Sequence, residues 1–254
     1  MKPRASVSKR GVFHLERGLG TAARAGRSRD ASADADHRGP AGGVQPPMLI
    51  ALNKPYGVIC QFSRDGDRKT LADFIEQPDV YPAGRLDTDS EGLLLLTNHG
   101  PLQHWISSPA GKSDGNPSNK SGKPGGAHQQ ALLKTYWAHV EGEPDDAAIA
   151  RLCAPLNLGD FVTAASTARR IPEPANLWPC DPPIRHRAAI PTSWLEVTVG
   201  EGKNRQVRRM TAAVGYPTLR LIRAAIGPLR VDGLRLGAWR HVPLAEIGYS
   251  RRLA

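Results

Sequence analysis

Four consecutive leucines, Leu93–Leu96, run straight out of a polar turn that carries three acidic residues, Gly84-Arg85-Leu86-Asp87-Thr88-Asp89-Ser90-Glu91-Gly92. A run this short, closed by the turn signal Asn98-His99-Gly100, fits a buried strand. Carboxylates packed beside such a strand are costly unless they are paired or functional. The plainer reading is a loop whose Asp and Ser side chains hydrogen-bond their own backbone. Spacing alone favours the plainer reading.

Other segments follow the same grammar. Met48-Leu49-Ile50-Ala51-Leu52-Asn53 is a second apolar run, stopped by Pro55 and Gly57. From Trp194 to Val199 the chain alternates, with Leu195, Val197 and Val199 on one face and Trp194, Glu196 and Thr198 on the other, as in a half-buried strand. Val207, Met210, Thr211 and Val214 recur at helical spacing before Gly215 and Pro217. Strands interspersed with short helices and long irregular stretches predict an α+β fold around a largely antiparallel sheet flanked by helices and loops.

Composition narrows the partners. The chain has 254 residues, 40% of them hydrophobic, enough for a sizeable core. Its 34 Lys+Arg against 24 Asp+Glu leave a net charge of +10, which favours a polyanion such as nucleic acid over a neutral partner. Charge alone also fits a basic enzyme with a solvated surface. Cys60, Cys153 and Cys180 lie far apart, with no metal-ligand spacing, so neither zinc nor a disulfide framework is expected. No run of about 18 apolar residues suggests a membrane span, and the Arg-rich start lacks the apolar core of a secretory signal. A soluble, cytoplasmic, monomeric protein is expected.

Residues 1–47 hold nine Lys/Arg and four Asp/Glu among Gly, Ala, Ser and Pro. Such a segment buries too little apolar surface to offset its ordering entropy and predicts a disordered basic extension. The domain itself is expected over 48–254. Residues 111–130, rich in Gly, Ser, Asn and Lys, predict a flexible loop inserted into it. The Pro-rich stretch 172–191 is expected to be ordered only by packing onto other elements.

Two further segments carry candidate chemistry. Lys134-Thr135-Tyr136-Trp137-Ala138-His139-Val140-Glu141 reads as a strand with Tyr136 and Ala138 on one face and Trp137 and His139 on the other. Taken alone, Tyr136 reads as half-buried packing. Gly200-Glu201-Gly202-Lys203-Asn204-Arg205-Gln206-Val207-Arg208-Arg209-Met210 is a Gly-rich turn opening a basic helix, a suitable site for backbone phosphate. A solvated helix face is the alternative for Arg205 and Arg209. Residues 200–254 hold 11 Lys/Arg against 3 Asp/Glu, which supports contact with a polyanion.

Together, GRLDTDSEGLLLLTN, LLKTYWAHVEG and EGKNRQVRRMTAAVGYPTLRLIR, in that order, resemble the small-subunit-A branch of bacterial rRNA pseudouridine synthases. Asn53-Lys54-Pro55-Tyr56-Gly57 is similar to the opening strand-turn of that family, and the likeness runs from about Met48 to about Val242. The stretch from Pro182 to Arg223 looks most like the E-type subgroup, which acts on 23S rRNA and lacks the S4-type domain of many relatives. The 111–130 loop is longer than that family usually has.

The resemblance implies a pseudouridine synthase fold and isomerisation of a uridine in 23S rRNA or a large-subunit precursor. It requires no cofactor and no metal. It implies Asp87 as the essential carboxylate, ionised in a dry pocket; Arg208 as its charge partner, with Arg205 and Arg209 projecting elsewhere; and Tyr136 as the residue that stacks on the base. Arg85 matches the residue that fills the space of the flipped nucleotide. Lys54, Lys203, Arg205 and Arg209 are the remaining RNA-binding candidates. The rival reading is a non-catalytic ribosome-assembly protein on the same scaffold, which would have no need to keep Asp87, Tyr136 and Arg208 together.

Overall fold

The four leucines fill the two faces of a sheet in turn. In a computed structural model that describes residues 45–108, 132–184 and 190–249, they lie in a strand buried along its whole length. Leu93 and Leu95 enter one hydrophobic cluster, while Leu94 and Leu96 enter another on the opposite face. At roughly 1.5–3 kcal/mol for each fully buried leucine, this strand is a major contributor to the core.

The strands are β1 (Leu49–Lys54), β2 (Tyr81–Pro82), β3 (Glu91–Thr97), β4 (Lys134–Glu141), β5 (Thr167–Ile171), β6 (Thr192–Val199), β7 (Thr218–Ile226), β8 (Leu229–Arg230) and β9 (Trp239–His241). The helices are α1 (Gly100–Ser107), α2 (Asp146–Cys153) and α3 (Gln206–Ala213). The main sheet order is β5-β6-β4-β7-β3-β1-β9, with β2 on β3 and β8 on β7. Every pairing is antiparallel except β3 with β7, so the sheet is mixed, and the fold is α+β.

The alternation in β6 sorts as its sequence predicts. Leu195, Val197 and Val199 join Ala138 and Val140 of β4 and Val207 and Met210 of α3 in a third cluster. Trp194 and Trp137 face the cluster that holds Leu93 and Leu95. Helix α2 is capped by Asp145, whose carboxylate accepts the Ala148 N–H at 2.7 Å.

The parallel join brings distant segments together. Gly92 lies opposite Arg223 with φ +100°, and a Cβ there would stand 2.5 Å from the Arg223 carbonyl oxygen. Only glycine tolerates both the backbone conformation and the close approach. Within the Pro-rich stretch 172–191, residues 185–189 lie outside the described residues; in the part described, Leu177 and Trp178 pack onto the core, and the Trp178 indole donates to Glu91 Oε1 at 2.5 Å. Glu91 also pairs with Arg220 at 2.7 Å, with both side chains buried. The expectations for residues 1–44 and for the 111–130 loop lie outside the described residues.

Candidate active site

The turn between β2 and β3 is held from several directions. The Gly57 N–H donates to the Thr88 carbonyl at 2.8 Å, and the Ser90 N–H donates to the Asp87 carbonyl at 3.0 Å. Cys60 Sγ donates to the Leu86 carbonyl at 3.1 Å, and Arg223 Nη1 donates to the Arg85 carbonyl at 3.2 Å. The turn therefore presents Asp87 on a backbone fixed by the NKPYG segment on one side and β7 on the other. Such bracing suits a group that must meet a substrate at fixed geometry.

Asp87 opens onto a cleft of about 680 Å³. The cleft is also lined by Tyr136 and Lys134 from β4, Arg223 from β7, Arg85 from the turn, and Lys203 and Arg205 from the loop before α3. The rim cations Arg85, Lys203 and Arg205 are exposed, whereas Lys134 and Arg223 on the floor are buried. Tyr136 lies opposite Arg223 in the β4–β7 register, and paired residues in an antiparallel ladder share a face.

Arg205 enters α3 in a left-handed conformation, φ 48° and ψ 32°, uncommon for a residue with a side chain. Its Nη1 and Nη2 grip the Asp89 carboxylate at 3.0 and 2.9 Å, and Nη1 also lies 3.9 Å from Asp87 Oδ2. Arg208 Nη2 donates to the Asp89 carbonyl at 2.6 Å, and Arg208 Nε lies 3.5 Å from the Asp89 carboxylate. Burial would raise the Asp89 pKa, but the hydrogen bonds from Arg205 and the charges of Arg208 and Arg205 outweigh it and hold the carboxylate below its ordinary value.

Comparison with known proteins gives the family. Residues 48–213 match the family model described as RNA pseudouridylate synthase. The chain belongs to the RNA pseudouridylate synthase family. It is 49% identical over 195 residues to ribosomal large subunit pseudouridine synthase E of Xanthomonas campestris pv. campestris, covering 76% of this chain and 94% of that protein. It is 45% identical over 196 residues to the enzyme of the same name from Vibrio vulnificus, covering 77% and 75% of the two chains. A crystal structure of a pseudouridylate synthase superposes with a TM-score of 0.60 at 25% identity, over 80% of this chain and 74% of that one. Members of this family are isomerases, and this chain is one of them.

Several residue assignments made from the synthase motifs need correction. Arg208 does not reach Asp87; its ion-pair contact is Asp89, and Asp87 acts on it through charge alone. Arg205, expected to project elsewhere, is the cation nearest to Asp87. Arg205 leaves a left-handed backbone and its side chain reaches Asp89 and Asp87, while Arg208, three residues on, is anchored on the Asp89 and Thr218 carbonyls. Asp87 is not in a dry pocket either, for its side chain is 34% exposed.

Lys54 cannot touch RNA as placed. It is fully buried, and its ammonium donates to the Pro55 and Val58 carbonyls at 2.8 and 2.9 Å, holding the NKPYG turn closed. Burial pulls its pKa down to about 8. Arg209 does not line the cleft; it is engaged by Asp160 and by the Leu158 carbonyl, and it lies over the Phe161 ring at 4.8 Å. Arg85, Lys203 and Tyr136 do line it.

The sequence reading missed Lys134 and Arg223 as site residues. A signal was present: Lys134 precedes Tyr136 by two positions on one strand, and Arg223 interrupts an otherwise apolar run. Among the described residues no group of acidic, histidine or cysteine side chains could hold a metal ion, and no helix is long and apolar enough to cross a membrane.

Proposed function

We propose that this synthase converts a uridine of 23S rRNA, or of a large-subunit precursor, to pseudouridine, with Asp87 as the catalytic carboxylate. The observation that carries this reading is the convergence of Asp87, Tyr136 and a ring of cations on one cleft. The substrate follows from the names of the two similar large-subunit enzymes. We assign the catalytic domain to residues 48–254 and a basic extension to residues 1–47.

In this reading the target nucleotide leaves its stack, at a cost of roughly a few kcal/mol, and its base lies against the Tyr136 ring. Asp87 acts on the ribose as the base detaches from C1′ and returns through C5. Arg205 supplies the nearest positive charge to Asp87, at 3.9 Å. Arg208 is a positioning residue that acts through the Asp89 turn. Arg85 fills the space left by the base, and Lys203 with Arg205 contacts backbone phosphate at the rim.

The test uses rRNA from cells lacking this gene, complemented with wild type or with Asp87→Asn, and maps pseudouridine by chemical modification. Wild type is expected to restore one or more 23S sites, and Asp87→Asn none. Restoration by the Asn variant would sink the catalytic role. An unchanged 23S map in the null strain would sink the substrate assignment.

A further inference from the structure

The floor of the cleft holds positive charge with nothing to balance it. Lys134 is 6% exposed and Arg223 is 3% exposed. The Lys134 ammonium has no hydrogen-bond partner. Arg223 spends Nε on the Leu93 carbonyl at 2.6 Å and Nη1 on the Arg85 carbonyl, and its Nη2 is left without a partner. The two act on each other as like charges, since Arg223, after burial itself, depresses Lys134, whose pKa falls to about 8. The carboxylates have cations of their own: Asp89 is held by Arg205, Asp87 has Arg205 at 3.9 Å, and Glu91 pairs with Arg220. Unpaired buried donors are expensive, and they persist where a ligand will satisfy them.

We propose that Lys134 and Arg223 receive the carbonyl oxygens of the flipped uracil and stabilise the negative charge that the base carries while it is detached. The proposal rests on the function given above. When the C1′–N1 bond breaks, its electron pair leaves with the base and spreads over N1, C5, O2 and O4. That pair then forms the C1′–C5 bond, and the net proton movement is from C5 to N1. Nothing else is gained or lost. Donors aimed at charge that exists only during the reaction accelerate it more than they tighten binding.

Burial separates this role from phosphate binding. The exposed cations Arg85, Lys203 and Arg205 stand at the rim, where a hydrated backbone passes. Lys134 and Arg223 sit on the face of Tyr136, within the part of the cleft that a flat base lying on that ring would enter. The adjacent positions on β6 and β7, Val199 and Ile226, are apolar, so Arg223 is the charged group that faces Lys134.

Lys134→Met tests this, because it removes the charge without breaking a hydrogen bond. Its kcat on an rRNA fragment is expected to fall by about a hundredfold or more, with RNA Kd unchanged within about threefold and Tm higher than wild type. Wild-type kcat should decline as pH rises through about 8, and this limb should be lost in the variant. Arg223→Lys should keep more activity than Arg223→Met. A Lys134→Met enzyme with near wild-type kcat, or with kcat and RNA affinity reduced in equal proportion, would overturn the proposal while leaving the function intact. A wild type that forms no pseudouridine would remove the function and the proposal together.

Discussion

Arg205 holds Asp89 through both terminal nitrogens, at 3.0 and 2.9 Å, from a backbone conformation that side-chain-bearing residues seldom adopt. The pair joins the start of α3 to the turn that carries Asp87, two elements more than a hundred residues apart. A planar fork can do this and an ammonium cannot, so Arg205→Lys keeps the charge and loses the geometry. We expect kcat to fall about ten- to a hundredfold, since small misplacements of reacting groups are costly. Single-turnover rates at saturating RNA measure it, and an unchanged rate would show that the grip on Asp89 is dispensable.

Arg208 contacts the Asp89 carbonyl and the Thr218 carbonyl, and its side chain is only 12% exposed. Arg208→Ala should therefore reduce turnover by about a hundredfold or more while RNA affinity changes little. Comparing kcat with the RNA Kd checks this. Equal losses in both would move Arg208 to backbone binding.

Gly92→Ala places a methyl group 2.5 Å from the Arg223 carbonyl oxygen in a backbone already at φ +100°. Strain and overpacking together predict a loss of about 3 kcal/mol or more. Urea denaturation should show a lower midpoint with an unchanged slope.

Glu91→Gln leaves the Arg220 guanidinium buried without its counter-charge and weakens the bond from Trp178. Breaking one side of such a pair costs about 3–5 kcal/mol. The double variant Glu91→Gln/Arg220→Met should recover a large part of that loss, which a double-mutant cycle reads directly.

Lys54 and Lys134 titrate at about 8 in the folded chain against 10.5 in the unfolded one, both lowered chiefly by burial. Unfolding therefore takes up protons between those values, and the two groups make stability rise with pH across that window. Melting curves from pH 8 to 10.5 should show a smaller rise for Lys134→Met than for wild type. An identical slope would mean that Lys134 is not depressed.

Much of the scaffold was legible because each strand carries its own periodicity. The leucine run, the alternation in β6 and the 3.6-residue spacing in α3 all depend on local pattern, and all form where expected. Asp87 and Tyr136 were legible from motif order, and both line the cleft. The choice between Arg205 and Arg208 was not legible, because it turns on one left-handed residue that no side-chain pattern announces. Lys54 misled for a related reason: a lysine beside a turn reads as exposed unless the two carbonyls that will receive its ammonium are known. Lys134 and Arg223 meet through the β4–β7 register, a non-local relationship that a linear reading does not supply.

The position of β7 has a consequence for how the molecule comes into being. It is the seventh strand among the described residues, yet it lies in the middle of the sheet, between β4 and β3. A chain emerging from the ribosome has made β1 through β6 before residues 218–226 appear, and until then the Glu91–Gly92 end of β3 and one edge of β4 lack their partner. Long-range pairing of this kind is slow to form. Arg223 arrives with the strand that joins the two halves, so in an incomplete chain the Asp87 turn and the Tyr136 strand still lack the element that brings them to one cleft.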